Sequence, residues 1–198
     1  MDRRRALAAV WKHTFLHGSA PKEVVEAELG CCGSVEELLS LGMVEEKDGL
    51  RLTERGRRSI TVVLAGGVFD LLHPGHVFFL EQAKALGDVL AVVVARDETV
   101  RDRKRIPVVP EEQRVQMLKA LKPVDVAILG SPDMRDTLAR VAPDVVALGP
   151  DQRHGEEEIE RMAAELGLRC RVVRLPRYTA CPLPSSRSII NRVLRLFR

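Results

Sequence analysis

Two kinds of hydrophobic pattern follow one another along this chain. From residue 59 onward, short unbroken apolar runs alternate with longer stretches whose apolar positions recur at helical spacing. The runs fall at 60–65, 89–95, 124–129, 145–148 and 171–175. The central ones lack polar alternation, as strands covered on both faces do. The stretches 75–86, 110–121, 133–141 and 156–166 predict helices between them, and 185–197 predicts a final helix. Repeated strand–helix units imply right-handed crossovers in one sheet. The fold class expected is therefore α/β, an open doubly wound parallel five-stranded sheet of Rossmann-like form. Asp125 interrupts the third run, where its carboxylate can accept from neighbouring backbone donors.

The first 58 residues read differently. Helical stretches are expected at 4–15, from Pro21 to about 29 with proline in the first turn, and from Ser34 to about 42. Ser34 followed three residues later by Glu37 fits a capping box. Met43-Val44-Glu45-Glu46 and Leu50-Arg51-Leu52-Thr53 then read as two short strands joined by Lys47-Asp48-Gly49, which holds the Asp-Gly turn signal. Residues 52–57 resemble the strand end that often closes winged-helix domains. Three helices and a hairpin are the order of a winged helix-turn-helix. The expected division is a small winged-helix-like domain over 1–58 and the larger α/β domain over 59–198.

Composition narrows the setting. The chain has 198 residues, 45% of them hydrophobic, which excludes wholesale disorder. No apolar run approaches the ~18 residues of a membrane span. The apolar stretch 6–10 is too short for a secretory signal, so a soluble cytoplasmic protein without membrane contact is expected. Of 31 basic residues 24 are Arg and 7 Lys, and Asn191 is the one asparagine, as in a thermophile or a GC-rich genome. The cysteines are Cys31, Cys32, Cys170 and Cys181, without a C-x-x-C pair. They are expected to be reduced, Cys31-Cys32 serving as small residues near a helix start. Residues 1–58 hold 10 basic and 10 acidic side chains, and the third helix offers Glu36 and Glu37 but no Lys or Arg before Leu41. Nucleic-acid affinity rests on phosphate neutralisation, so a docking or homodimer role for 1–58 ranks ahead of DNA binding. Arg3-Arg4-Arg5 and Arg55, Arg57 and Arg58 are what a DNA-binding patch would use.

In open α/β sheets ligands bind beyond the carboxyl ends of the strands. After the first strand of the larger domain comes Gly66-Gly67-Val68-Phe69-Asp70-Leu71-Leu72-His73-Pro74-Gly75-His76. After the second comes Arg96-Asp97-Glu98, then Arg101 to Arg105. After the fourth comes Gly149-Pro150-Asp151-Gln152. After the fifth comes Pro176-Arg177-Tyr178, before Ser185-Ser186. His73 and His76 flank the Pro-Gly turn into a helix, whose N-terminal N–H groups and dipole favour an anion such as phosphate. Two imidazole donors there suit charge building on a transferred phosphoryl group. A zinc pair and plain helix capping are the alternatives, and no third metal ligand follows at suitable spacing. Neither a G-x-G-x-x-G fingerprint nor a Walker motif is present.

The run from Gly67 to His76 resembles the G-x-F-D-x-x-H-x-G-H signature of the cytidylyltransferase-like nucleotidyltransferases, and the similarity spans about 60–198. Ala95-Arg96-Asp97-Glu98-Thr99-Val100, Pro110-Glu111-Glu112-Gln113-Arg114, Leu148 to Gln152 and Cys181-Pro182 before Ser185-Ser186 most resemble archaeal FAD synthases. The resemblance implies attack of the FMN phosphate on the α-phosphorus of ATP, giving FAD and pyrophosphate. It implies Mg²⁺, or another divalent cation, held through the phosphates with no direct protein ligand. It implies His73, His76 and Lys104 as catalytic residues, with Arg105 able to replace Lys104. It implies nucleotide binding by Gly67, Val68, Phe69, Asp70, Asp151, Arg177, Ser185 and Ser186. Val68 stands where many members have Thr. The alternatives are a CTP-dependent transferase acting on a small alcohol phosphate such as glycerol 3-phosphate, and a DNA-binding regulator that senses a nucleotide or flavin.

An acceptor phosphate is already ionised at neutral pH, so the reaction needs positioning and charge neutralisation rather than a strong base. Cys181 is accordingly expected as a wall residue, not a nucleophile. Glu98 is expected to cap its segment, and Arg114 to pair with Glu111 on its own helix. The last helix carries Arg187, Arg192 and Arg195, and Arg198 follows it; a basic solvated face is expected. Aromatic residues are too sparse for the sequence to name an isoalloxazine platform.

Overall fold

The computed structural model describes residues 3–30, 34–102, 106–152, 154–178, 180 and 182–197. Lys104 and Arg105, and Cys31, Cys32 and Cys181, lie outside the described residues. The chain forms two compact units, Met1–Thr61 and Val62–Arg198.

The first unit runs α1 (Arg3–His17), α2 (Lys22–Leu29), α3 (Ser34–Ser40), β1 (Val44–Lys47), β2 (Gly49–Leu52) and α4 (Glu54–Arg57). The two strands are antiparallel, with Val44 opposite Leu52 and Lys47 opposite Gly49. Gly49 at φ 99° makes the reversal that the Asp-Gly pair predicts. Leu7, Val10, Val25, Val35, Leu38 and Leu50 close the small core, each at 1% exposure or less. The segment after β2 is not a strand end. Thr53 caps a helical turn by accepting from the Gly56 N–H at 3.2 Å. A Cβ at Gly56 would lie 1.9 Å from the Met43 carbonyl oxygen, so glycine is required for this turn to pack on the hairpin.

The second unit runs β3 (Val62–Gly67), α5 (Pro74–Lys84), β4 (Val89–Val94), α6 (Asp97–Asp102), α7 (Glu111–Lys119), β5 (Val126–Leu129), α8 (Met134–Val141), β6 (Val145–Leu148), α9 (Glu156–Glu165), β7 (Arg171–Arg174) and α10 (Ser186–Leu196). The strand order is β5-β4-β3-β6-β7, parallel throughout, which is the expected doubly wound α/β sheet. β3 begins two residues later than its apolar run suggested, so Gly66 and Gly67 form its end. All six residues of β4 are buried, and Val63, Ala65, Leu80, Leu90, Val92, Leu118 and Ala147 share one core. Each such Val or Leu contributes roughly 1.5–3 kcal/mol by leaving water.

Carboxylates pin the amino ends of the strands. Asp125 accepts from the Leu90 N–H at 2.6 Å and from Lys84 Nζ at 2.5 Å, the role its place in a strand implied. Asp144 accepts from the Val62 N–H at 2.7 Å. α6 was not foreseen: its charged sequence shows no apolar stripe. α10 has no buried residue, and Ile190, Val193, Leu194 and Leu196 are exposed along it. No helix among the described residues is long and apolar enough to cross a membrane.

Candidate active site

Consecutive connections leave β3 for β4 on one side and return to β6 on the other. The crevice therefore opens where β3 and β6 adjoin, at their carboxyl ends. A cavity of about 830 Å³ lies there, walled by the β3–α5 turn, residues 149–152, residues 176–178 and the start of α10.

The β3–α5 turn is tightly determined. Phe69 has φ 50°, a left-handed conformation that costs a side-chain-bearing residue free energy. Its ring is buried over Gly67, where an added Cβ would come within 2.8 Å of it. The same ring lies 5.2 Å from that of His76 and 6.4 Å from that of Phe79.

His73 is the N-cap of α5. Its Nδ1 accepts from the His76 N–H at 3.3 Å, and Pro74 takes the first helical turn. An acceptor at Nδ1 leaves the proton of the neutral ring on Nε2 as a donor. Burial pushes the His73 pKa below its ordinary value. The rings of His73 and His76 stack at 3.7 Å between centroids. Capping and ligand contact are thus compatible, because capping occupies one nitrogen of one ring. Gly75 is fixed by close approach: a Cβ there would meet the Pro184 carbonyl oxygen at 2.6 Å and His73 Nδ1 at 3.0 Å.

Pro184 leads directly into α10, so this contact places the starts of α5 and α10 side by side. Ser185 caps α10, its hydroxyl accepting from the Ser188 N–H at 3.2 Å, and Ser188 answers by bonding back to the Ser185 N–H. Ser186 Oγ donates to the Leu71 carbonyl at 3.4 Å and ties α10 to the β3–α5 turn. Both serines therefore line the cavity while organising the helix start.

Across the cavity, Gln152 Nε2 donates to the Gly66 carbonyl at 2.5 Å, and its Oε1 accepts from the Gly149 N–H at 3.2 Å. Asp151 and Arg177 form an exposed ion pair with each other. Arg174 holds the loop after β6 from outside. It donates to the carbonyls of Gly149, Gln152 and His154 at 3.0, 3.0 and 2.9 Å and to Glu156 at 2.6 Å.

Asp70 differs most from the expectation that it sits near phosphate. It is 2% exposed, and its carboxylate accepts from the Val108 and Val109 N–H groups at 2.9 Å each. Arg114 does not pair with Glu111. It is fully buried and donates to the carbonyls of Val109 at 2.9 Å and Val68 at 2.5 Å and to Asp97 at 2.5 Å. Glu111 instead accepts from the Asp97 N–H at 2.5 Å. The signal for Arg114 was its four-residue spacing from the buried Leu118, which puts both on one face of α7. Arg174 gave no such signal, because its carbonyl partners come from a loop without pattern.

The described residues contain no group of three or more His, Cys, Asp and Glu able to hold a metal ion. Cys170, half-buried at the start of β7, has its thiol pushed up to about 11 by burial. It is therefore a packing residue rather than a reactive one.

Comparison with known proteins agrees with this geometry. An FAD synthase from Methanopyrus kandleri is 59% identical over 140 residues, covering 69% of this chain and 93% of its own. One from Methanosarcina mazei is 52% identical over 139 residues, covering 70% and 91%. A solved structure, described as a lipopolysaccharide core biosynthesis protein from Thermoplasma volcanium, superposes with a TM-score of 0.59 at 44% identity, over 61% of this chain and 99% of that one. Residues 64–192, more than half of the chain, match the Cytidylyltransferase-like family. With that match and those relatives, the chain belongs to the cytidylyltransferase-like nucleotidyltransferases.

Proposed function

We propose that the protein is an FAD synthase of the cytoplasm, an FMN adenylyltransferase joining AMP from ATP to FMN. One observation carries the reading: two helix N-termini and a stacked imidazole pair converge on a single cavity at the switch point of the sheet. The names of relatives covering more than nine-tenths of their own length support the choice of substrates.

The chemistry is an in-line displacement. An oxygen of the FMN phosphate bonds to the α-phosphorus of ATP as the bond to the bridging oxygen of pyrophosphate breaks. His73 donates from Nε2 to the triphosphate, and His76 lies against it in the stack. The Gly75 N–H in the first turn of α5 and the first N–H groups of α10 stabilise charge on the phosphoryl oxygens without reorganising. Gly67, Val68 and Phe69 bring backbone close to the phosphates. Asp151 and Arg177 face the nucleotide from the β6 and β7 side, Arg177 toward phosphate once the pair opens. Lys104 supplies a further cation. The cavity's carboxylates are Asp70 and Asp151, bonded to backbone and to Arg177, so the residues fit a cation carried on the phosphates rather than by the protein. When bound, Mg²⁺ neutralises charge on the triphosphate and the departing pyrophosphate. The first unit is read as a winged-helix-like domain for docking or homodimer contact, on the order of its elements and its balanced charge.

The test is direct. Purified protein with FMN, Mg²⁺ and ATP yields FAD and pyrophosphate, resolved by chromatography, while His76→Ala loses orders of magnitude in turnover and keeps its fold. Absence of FAD with ATP, combined with turnover of CTP and a small alcohol phosphate, overturns the assignment.

A further inference from the structure

We infer that Arg114 and Asp70 are positioning residues of the transfer reaction: they clamp both backbone groups of Val109 and thereby hold Phe69 in its left-handed conformation against His76. This rests on the adenylyltransfer reading above, but its structural content stands without it.

The geometry is unusually closed. Val109 gives its N–H to Asp70 and its carbonyl to Arg114, each at 2.9 Å. The two charged residues reach it from different parts of the fold, one from the β3–α5 turn and one from α7. Arg114 also holds the Val68 carbonyl, and Asp70 also holds the Val108 N–H. Phe69 lies between the two anchored residues Val68 and Asp70. Its φ of 50° is a conformation that an aromatic residue keeps only where the surroundings over-determine it. The anchors on either side supply that determination, and the outcome is a ring held 5.2 Å from the His76 imidazole.

The cost of this arrangement argues for a purpose. Arg114 is fully buried, and a buried guanidinium loses its hydration. A hydrophobic residue at this position would leave the Val68 and Val109 carbonyls and the Asp97 carboxylate without this donor. Arginine is required because three acceptors lie in three directions around it: two carbonyls and the Asp97 carboxylate. A lysine carries its donors on one atom and cannot span them. Neither Arg114 nor Asp70 has to touch substrate. Both act through Phe69 and the imidazole beside it.

The experiment uses the full chain and three variants: Arg114→Lys, Asp70→Asn and Phe69→Leu. The first readout is the His76 ring proton between the two nitrogens, followed by NMR, because a phenyl ring at this separation shifts it. Phe69→Leu sets the shift expected when the ring is gone. The clamp predicts that Arg114→Lys and Asp70→Asn both move the resonance toward that value. The second readout is turnover per nucleotide-binding site, with sites counted by ATP titration. Here kcat falls about tenfold to a hundredfold, the scale expected of a small misplacement, while the ATP dissociation constant stays within threefold. Asp70→Asn sets an amide donor against the Val108 N–H, from which Oδ2 accepts at 3.1 Å, so it perturbs the clamp at constant volume and stands in if Arg114→Lys does not fold. An unmoved His76 resonance in a folded clamp variant overturns the inference. Turnover per site at the wild-type level, with only the melting temperature lowered, does the same by showing a purely structural role. Wild-type protein that makes no FAD overturns the adenylyltransfer reading alone, since the resonance still tests the clamp.

Discussion

Replacing Gly75 with alanine probes the one contact that sets the two helix starts side by side. The added Cβ would stand 2.6 Å from the Pro184 carbonyl oxygen, where ordinary contact begins at 3.4 Å. The difference, 3.4 − 2.6 = 0.8 Å, is the separation that the α5 and α10 starts must absorb. The neighbour is backbone and cannot rotate away, and His73 Nδ1 at 3.0 Å crowds the same Cβ. Overpacking of this kind costs about 1–3 kcal/mol of stability. On the proposed mechanism the larger effect falls on catalysis, because both helix N-termini and the imidazole pair shift relative to one another. A misplacement near 1 Å costs on the order of 10²-fold, or about 2.7 kcal/mol in the barrier at 1.36 kcal/mol per decade. The assay is initial-rate FAD formation from ATP and FMN, with urea unfolding in parallel. Gly155→Ala is the control: its Cβ meets nothing nearer than 4.0 Å, so the rate should stay close to wild type, while the loss of glycine at the N-cap of α9 should cost no more than about 1 kcal/mol of stability. A Gly75→Ala enzyme within threefold of the wild-type kcat/KM would refute the reasoning.

Two further outcomes follow from single residues. Asp125→Ala removes the acceptor of the Leu90 N–H inside the sheet and should cost about 1–3 kcal/mol in urea unfolding, with turnover per folded molecule unchanged; a loss under about 0.5 kcal/mol contradicts the pinning role. His73, lowered by burial, is neutral at pH 7, so its stability contribution is intact above its ordinary value of 6.5 and declines as pH falls from there through the native value. Thermal melts at pH 7.5 and 5.5 should differ more for wild type than for His73→Gln. Equal pH sensitivity of the two proteins contradicts the assignment.

Much of the larger unit was legible because burial writes itself into runs. β4 is apolar at every position, and the polar residues that follow each run fall at one edge of the sheet. The Pro-Gly turn between His73 and His76 announced the helix start that the structure shows. Other features left no periodic trace. α6 is built from charged residues. The short turn capped by Thr53 breaks the alternation of the hairpin before it. Charged residues were read as solvated, so Arg114 was assigned to its own helix surface and Asp70 to a ligand. Both instead satisfy backbone groups more than thirty residues away, or five along the chain, and only the fold brings those groups within reach. The left-handed Phe69 is invisible for the same reason, since no residue type announces it.

A reaction that welds two nucleotides into one longer molecule has to release a product bulkier than either reactant. The side of the crevice built on α10 suits that demand. This helix sinks no side chain into the interior and is fastened at its opening turn, by Ser186 on Leu71 and by Gly75 beneath Pro184. Because the interior of the domain does not depend on it, local opening of α10 would leave the five strands untouched, and its amides should exchange with solvent ahead of those in β3 and β4.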